Sequence, residues 1–319
     1  MAMFAVFIEM RARGRASMSQ MRMGFSGSAG HSSRFGTGND KRRRSLNRQD
    51  DWGAAAHADN DAFQAYGKDP DLSEQLLLED MARRMARLQQ EGRLPRRRIA
   101  EFVKQLFDDK GDRCQKTVDA TAAKCGDPQK VVEILFEPAA RMIGENWCAD
   151  ECDFMKVTIA MNRIQVLFRR LASQFPSMRP DMTRCVLLTP APGEQHSFGL
   201  AVVEDAFRRA GWEVDSCLCG EEDEMFRLAS TNSYQVIGIS VSVERLMVDL
   251  SGIVLRLRTN ARDKSVFLMA GGSMVMQNPR AALDVGFDLL AVDASSAVGL
   301  AESAMSSRAA VDETRLAAE

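Results

Sequence analysis

The chain has 319 residues, of which 27% are charged, and its formal net charge is −2 at pH 7. That charge is unevenly spread, because residues 1–50 carry ten Lys or Arg against three Asp or Glu and the remainder carries 32 against 41. An acidic body excludes nucleic-acid binding by bulk charge, and no apolar run approaches the roughly 20 residues of a membrane span. Arginines, rather than a small-residue cleavage site, follow the apolar opening. The seven cysteines lack the spacing of a disulfide framework or a zinc site. We therefore expect a soluble, cytoplasmic protein of two domains.

The first predicted segment is a basic tail at residues 1–70. It is rich in Gly, Ser, Arg and Asn, has few aliphatic residues and contains the run KRRR at 41–44. Such a composition buries too little apolar surface to offset the entropy of ordering, so we expect disorder. Contact of the basic run with DNA phosphate or an acidic partner is the alternative to simple solvation.

A helical bundle is predicted for residues 71–176, because the apolar positions take on a helical period there. Asp71 or Ser73 is expected to cap the first helix, which stops near Gly92. The next four helices are predicted to begin at about Pro95, residue 113, Asp127-Pro128 and Asp150, the last ending near Phe175. Pro138 lies inside the fourth and predicts a kink. Amphipathic helices with short connections are typical of a bundle.

Residues 181–308 alternate between apolar strands and amphipathic helices. The strands are predicted at 184–190, 212–218, 234–242, 265–272 and 287–293, and the helices at 198–211, 222–231, 244–261, 279–285 and 295–306. Five βα units of this size predict an α/β fold, a flavodoxin-like (Rossmann-like) domain with a five-stranded parallel sheet. Residues 309–319 are expected to fray.

Three loops of this predicted sheet carry unusual residues, and the carboxyl ends of parallel strands are where ligands bind. The first loop holds Glu194, His196 and Gly199, and the others hold the pairs Ser240 with Ser242 and Gly271 with Gly272. His196 is the sole histidine outside the tail, where His31 and His57 lie. A single histidine without clustered carboxylates or cysteines suits a metal that brings its own equatorial ring, namely haem or a corrin. Taken singly, Gly199 is explained by helix packing and the glycine pair by a turn.

Together these residues resemble the cobalamin-binding signature Asp-x-His-x-x-Gly, Ser-x-Leu, Gly-Gly. Glu194 stands for the Asp, Ser242 for the Leu, and the intervals between the three elements agree. The resemblance implies that His196 coordinates cobalt from below and that Glu194 hydrogen-bonds it. It further implies that the small residues line the slot for the nucleotide tail, and it gives these cofactor-binding residues: Glu194, His196, Ser197, Gly199, Ser240, Ser242, Gly271 and Gly272.

A bundle directly before such a domain resembles the family's cap over the upper corrin face. Trp147 falls where light-sensing cobalamin repressors carry Trp-x9-Glu-His, which makes it a further candidate cofactor contact. Val157 and Thr158 stand in place of the Glu-His pair, so an upper histidine ligand is not expected there. Residues 72–306 are most similar to the AerR/PpaA group of purple bacteria, antirepressors that combine a divergent cobalamin domain with a helical region.

This resemblance implies a regulator rather than an enzyme. The expected function is a light-responsive antirepressor that binds adenosylcobalamin or hydroxocobalamin and acts on a repressor of the CrtJ/PpsR type, with auxiliary DNA contact left open. A corrinoid methyl carrier of a methyltransferase system is the first alternative, and the Glu194 and Ser242 departures count against it. A haem sensor that uses His196 as axial ligand is the second.

Overall fold

The computed structural model describes residues 77–79, 81–84, 86, 94–108, 112–194, 196–217 and 222–316, with side chains up to residue 310. The predicted tail at 1–70 and the predicted cap residues Asp71 and Ser73 lie outside these ranges. Helical backbone is present at 77–79, 81–84 and 86, inside the first predicted helix. No helix of the described residues is long and apolar enough to cross a lipid bilayer.

The bundle consists of helices α1 (Arg96–Asp108), α2 (Arg113–Cys125), α3 (Pro128–Val131), α4 (Glu137–Cys148) and α5 (Phe154–Ala172), with a π-helical turn (Val132–Phe136) joining α3 to α4. Asp127 caps α3, its side chain accepting from the Gln129 N–H at 3.0 Å, and Asp153 caps α5 in the same way at 2.8 Å to Lys156. Apolar side chains at helical spacing form one buried core, with Phe102, Val118, Phe136, Ile143 and Ile164 at its centre. The period seen in the sequence therefore marks the buried faces.

The predicted kink at Pro138 takes the form of the π-helical turn that precedes it. Proline has no N–H to donate and its ring crowds the carbonyl four residues earlier. The wider π turn contains one additional residue before Pro138 and accommodates the missing hydrogen bond and the bulk of the ring. The helix thereby runs on from Pro128 to Cys148 without a break in the chain of helical residues.

The second domain is a five-stranded parallel sheet in the order β2-β1-β3-β4-β5, which is the flavodoxin-like order. The strands are β1 (Asp181–Pro190), β2 (Trp212–Ser216), β3 (Val236–Ser240), β4 (Phe267–Gly271) and β5 (Leu289–Ala291). Every pairing is parallel, and Pro190, Ser240 and Gly271 end β1, β3 and β4 at matching levels. Because these strands are buried on both faces, they appear in the sequence as continuous apolar runs.

Helices cover both faces of the sheet. One face packs against α7 (Glu222–Thr231), α8 (Glu244–Asn260), α9 (Ser273–Gln277) and α10 (Pro279–Val285). The other packs against α6 (Phe198–Arg209) and α11 (Ala294–Leu316). The predicted bounds of α7 and α10 agree with the structure. The five strands and α6 differ from their predicted bounds by one to three residues at an end. In addition, α9 was not predicted, and α11 continues to Leu316, beyond the predicted end at 306 and into the segment that was expected to fray.

The bundle contacts the second domain through α6. Phe198, the first residue of α6, makes edge-on contacts with Phe136 and Phe168 at centroid distances of 6.4 and 5.8 Å. The Gln129 side-chain amide donates to the Val202 carbonyl at 3.3 Å, and Val202 belongs to the bundle core. The two domains therefore share a continuous apolar contact close to the β1–α6 loop.

Candidate functional site

A cavity of about 850 Å³ separates the bundle from the carboxyl edge of the sheet, the edge at which the strands end. Ser240, Gly271 and Gly272 line it from β3 and β4, and Gly199 lines it from the start of α6. Arg141, Met142 and neighbouring residues of the π turn and α4 form the opposite wall. This volume is in the range of small-molecule sites, and the space between the two domains is where the sequence predicted a ligand.

His196 lies in the β1–α6 loop, and its ring is held by Glu194. The Nδ1 atom is 2.6 Å from Glu194 Oε1, and the backbone N–H of His196 donates to the same oxygen at 3.0 Å. The Glu194 side chain is fully buried, whereas that of His196 is 34% exposed. Because an ionised carboxylate can only accept, Nδ1 is the donor in this contact, and in the neutral tautomer with that donor the lone pair lies on Nε2. This is the tautomer of a histidine that ligates a metal through Nε2.

Glu194 also ties the β1–α6 loop to the loop after β3. Its second oxygen accepts from the backbone N–H of Ser242 at 2.6 Å. Burial raises the pKa of Glu194, but the hydrogen bonds from the ring and backbone of His196 and from Ser242 outweigh burial and hold the pKa at about 2. The carboxylate is therefore ionised at neutral pH. The side chain of Glu is one methylene longer than that of Asp, and here it contacts both His196 in its own loop and Ser242 in the loop after β3.

The predicted glycines serve different purposes. At Gly199 an added Cβ would meet nothing within 4 Å, so a side chain there would project into open space rather than into a helix contact. At Gly271 the nearest atom would be the Ala291 carbonyl oxygen at 3.7 Å, an ordinary contact distance. Gly272 has φ 105°, and a Cβ would lie 2.4 Å from the Val241 carbonyl oxygen. Only Gly272 is therefore required by the backbone itself, while Gly199 and Gly271 keep the cavity open.

Of the predicted site residues, Gly199, Ser240, Gly271 and Gly272 line the cavity, whereas Glu194, His196, Ser197, Ser242 and Trp147 do not. Ser242 contributes its backbone N–H to Glu194, and its carbonyl accepts from the Ser273 hydroxyl at 3.3 Å. Ser197 occupies the position before α6 without a side-chain cap contact. Trp147 is buried in the bundle core, where Val157 is also buried. A role for Trp147 and Ser197 beside the ligand stays a prediction.

Besides Glu145, which pairs with Arg96, three carboxyl groups that were not predicted as site residues line the same cavity: Glu133, Glu137 and Asp293. We call them the acid cluster. Glu133 and Glu137 belong to the bundle, whereas Asp293 follows β5 of the second domain. Lys130 binds Glu133 at 2.9 Å, and Asp293 accepts from the Ser296 N–H at 2.7 Å. The signal in the sequence was two acids, four residues apart, in an otherwise apolar helical segment.

Enclosure by the cavity wall raises the pKa of Glu137, and the charges of Glu133 and Asp293 raise it further, to about 7, against a smaller opposing effect of Arg141. Glu137 is nevertheless exposed to solvent. Burial likewise raises the pKa of Glu133, in spite of its ion pair with Lys130. The acid cluster therefore crowds negative charge at the boundary between the two domains.

This arrangement predicts a pH dependence of stability. Because the folded-state pKa of Glu137 is raised from 4.5 to about 7, the folded protein binds the proton more tightly than the unfolded chain. The stabilisation is complete below pH 4.5 and is lost as the pH rises through 7. Replacing Glu137 by Gln should therefore raise the melting temperature more at pH 8 than at pH 5. Thermal unfolding followed by circular dichroism at pH 5 and pH 8 measures the two melting temperatures. Glu101→Gln, at an exposed position of α1, is the control. An equal change in melting temperature at the two pH values would contradict the prediction.

The site fits a corrinoid cofactor on four observations. A buried carboxylate orients a half-exposed imidazole whose Nε2 is available, two glycines leave open space at the sheet edge, a cavity adjoins them, and the Glu137 carboxylate faces that cavity. His196 is the residue that would bind the metal, and Gly199, Ser240 and Gly271 would accommodate the organic part. Among the described residues, no group of three His, Cys, Asp or Glu side chains converges on one point.

Comparison with known proteins supports this interpretation. A family model for the B12 binding domain matches residues 184–299. An uncharacterised 20.5 kDa protein in the bchF-crtJ intergenic region of Rhodobacter capsulatus is 31% identical over 163 residues, which is 49% of this chain and 82% of that protein. The monomethylamine corrinoid protein of Methanosarcina barkeri is similar in structure, with a TM-score of 0.52 and 15% identity over 63% of this chain and 95% of that one.

The structural likeness reaches the helical region as well as the sheet, so the bundle followed by a parallel α/β domain is an arrangement already seen in a corrinoid protein. The family match covers β1 to the first part of α11, and therefore includes every loop of the carboxyl edge that carries a predicted site residue. The fold, the histidine loop and the sequence match agree: residues 184–299 form a domain of the B12-binding family, and the chain belongs to the same family as the uncharacterised Rhodobacter capsulatus protein.

Proposed function

We propose that this protein is a cobalamin-dependent, light-responsive antirepressor that binds a repressor of the CrtJ/PpsR type and controls photosystem genes. One observation carries the regulatory part: the relative that is 31% identical lies between bchF and crtJ, in a photosynthesis gene cluster. The cobalamin part rests on the family match and on the Glu194–His196 pair.

The residues around the cavity supply what a switch needs. An alkylcobalamin, when bound, supplies a cobalt–carbon bond that light breaks. A different group on such a cofactor would change what the bundle wall can pack against, and a ligand shifts an equilibrium only through such differential contacts. His196 would hold the metal, and Glu194 ties the histidine to the Ser242 backbone. Movement is therefore expected in the bundle rather than in the sheet.

The outer face of α5 is the surface that we propose for the repressor. Met155, Ile159 and Val166 are exposed there, at spacings of four and seven residues that place them on one stripe of the helix. α5 carries Lys156, three arginines and no carboxylate. Two copies of such a helix would repel each other, so the stripe fits an amphipathic partner helix with acidic flanks. We therefore assign this face to an acidic segment of the repressor.

Placing a charge on the stripe should separate partner binding from cofactor binding. Ile159→Glu is expected to weaken repressor binding at least about tenfold, because a hydrophobic contact is lost and a carboxylate meets an acidic partner. Cobalamin affinity should not change. Fluorescence anisotropy with labelled repressor measures the effect, and Val248→Glu, at another exposed apolar position on α8, is the matched control. Equal loss in both variants would argue against this surface.

The experiment that tests the function uses purified full-length protein, loaded with adenosylcobalamin in the dark and then illuminated. We expect a bound corrinoid with a base-off, His-on spectrum whose bands change on illumination. We further expect the affinity for the repressor to differ between dark and illuminated samples at least about fivefold. An unchanged affinity would reject the light-responsive role. Transfer of a methyl group from methylcobalamin-loaded protein to a thiol or to tetrahydrofolate would favour a methyl carrier instead.

A further inference from the structure

The acid cluster lines the same cavity as Gly199, Ser240 and Gly271, and so far only its position and its charge have been described. Glu137 lines the cavity from the bundle and Asp293 lines it from the second domain, and the charge of Asp293 contributes to the raised pKa of Glu137. Lys130 is engaged with Glu133, and Arg96, also in the wall, pairs with Glu145 at 3.1 Å. Arg141 is the third cation of the wall, and its charge opposes the rise in the pKa of Glu137. Together with Glu145, four carboxyl groups therefore line the cavity against three cations.

The chemistry of the two candidate rings differs at their rims. A corrin of the cobalamin type is surrounded by carboxamides, which donate N–H hydrogen bonds. Haem carries propionates, which are anionic and only accept. Carboxylates recognise amide donors well and repel carboxylates, and in a partly enclosed site both effects are stronger than in water.

We propose that Glu137, together with Glu133 and Asp293, selects a macrocycle with an amide rim and rejects one with a carboxylate rim. This inference rests on the proposed cobalamin binding and deepens it, since it assigns the choice of ring to residues of this chain outside the B12 signature. Glu137 and Glu133 come from the bundle, and Asp293 comes from the second domain. Amide donors between them hold the two domains together, whereas a carboxylate rim adds charge to an already crowded boundary.

The competing explanation is that His196 and the shape of the cavity alone choose the ligand. In that case the acid cluster is a solvated wall, and its replacement by amides changes nothing. The two explanations differ in the ratio of affinities for two rings of the same shape and unlike rim. That ratio is insensitive to a general loss of stability, because both ligands are affected alike.

The test measures the affinities of full-length protein for hydroxocobalamin, cobinamide, cobyrinic acid and haemin by absorbance titration. Cobinamide and cobyrinic acid share the corrin ring, but the first has amides at its rim and the second has carboxylates. We expect wild-type protein to prefer cobinamide at least about tenfold, the ratio that one charge-assisted hydrogen bond supplies. Glu137→Gln should reduce the ratio to about threefold or less, and Glu137→Gln with Asp293→Asn should abolish or reverse it.

Glu101→Gln, which alters an exposed carboxylate paired with Arg97 on α1, is the matched control and should leave the ratio unchanged. Equal affinity of wild-type protein for cobinamide and cobyrinic acid overturns the inference while leaving cobalamin binding intact. A ratio of cobinamide to cobyrinic acid affinity that is the same in wild type, in Glu137→Gln and in the double variant also overturns the inference. Absence of binding to any corrinoid overturns the proposed function and this inference together, and tighter binding of haemin than of cobinamide contradicts both.

Discussion

His196→Ala should lose the His-on spectrum of bound corrinoid and bind hydroxocobalamin at least about 100-fold more weakly. Even indirect partners of a metal ligand change affinity by about 10- to 100-fold, so loss of the ligand itself should have at least the larger effect. The ring is held by Glu194 with Nδ1 as donor, and Nε2 is the atom that would bind the metal. Absorbance and equilibrium dialysis measure the two quantities.

Two further variants separate ligation from local structure. Glu101→Gln, an exposed position on α1 that pairs with Arg97, should keep both spectrum and affinity. Glu194→Asp should weaken binding even though it restores the acid of the family signature, because a shorter side chain cannot reach both His196 and the Ser242 N–H. Unchanged affinity and spectrum in His196→Ala would reject the ligand assignment outright.

Replacing Gly271, the last residue of β4, and Gly272, the residue that follows it, should have different effects. Gly272→Ala should lower the free energy of unfolding by about 3 kcal/mol or more, because a Cβ would strike the Val241 backbone and φ is positive. Gly271→Val should fold normally, since its nearest Cβ contact would be 3.7 Å. It should nevertheless bind cobalamin at least about 100-fold more weakly, because the side chain occupies the space assigned to the nucleotide tail.

Urea denaturation gives the stabilities, and titration with cobalamin and with cobinamide, which has no nucleotide tail, gives the binding. Gly271→Val should affect cobinamide by less than about threefold. If cobinamide and cobalamin are weakened alike, the glycine does not line the tail slot. If Gly272→Ala is as stable as wild type, the strain argument fails.

The fold could be predicted from the sequence because its signals were local. Buried parallel strands gave continuous apolar runs, and helices such as Glu222–Thr231 and Pro279–Val285 had clear ends. The extension of α11 was missed because the helix as a whole, Ala294–Leu316, is rich in Ala and Ser and shows little amphipathic pattern. The short α9 was missed because five residues contain too little periodicity, and it begins directly after the positive φ of Gly272.

The site was predicted only in part, for a physical reason. Side chains that act at strand ends, such as His196 and Ser240, are located by the order of the strands. Ser242 acts through its backbone N–H, which every residue except proline possesses, so its identity carries no signal. The acid cluster joins Glu133 and Glu137 to Asp293 across two domains, and no local pattern predicts how the bundle sits on the sheet.

Phe198 connects the two halves of the molecule, because it lies two positions after His196 and its ring is inserted between Phe136 and Phe168 of the bundle. A displacement of the histidine loop therefore moves a side chain of the bundle core. If cofactor binding at the histidine loop changes the affinity of the bundle for a partner, the partner must change the affinity for the cofactor by the same factor. A partner bound to the bundle would therefore change the affinity of the protein for the cofactor. The response of the protein to the cofactor would then depend on the concentration of the partner.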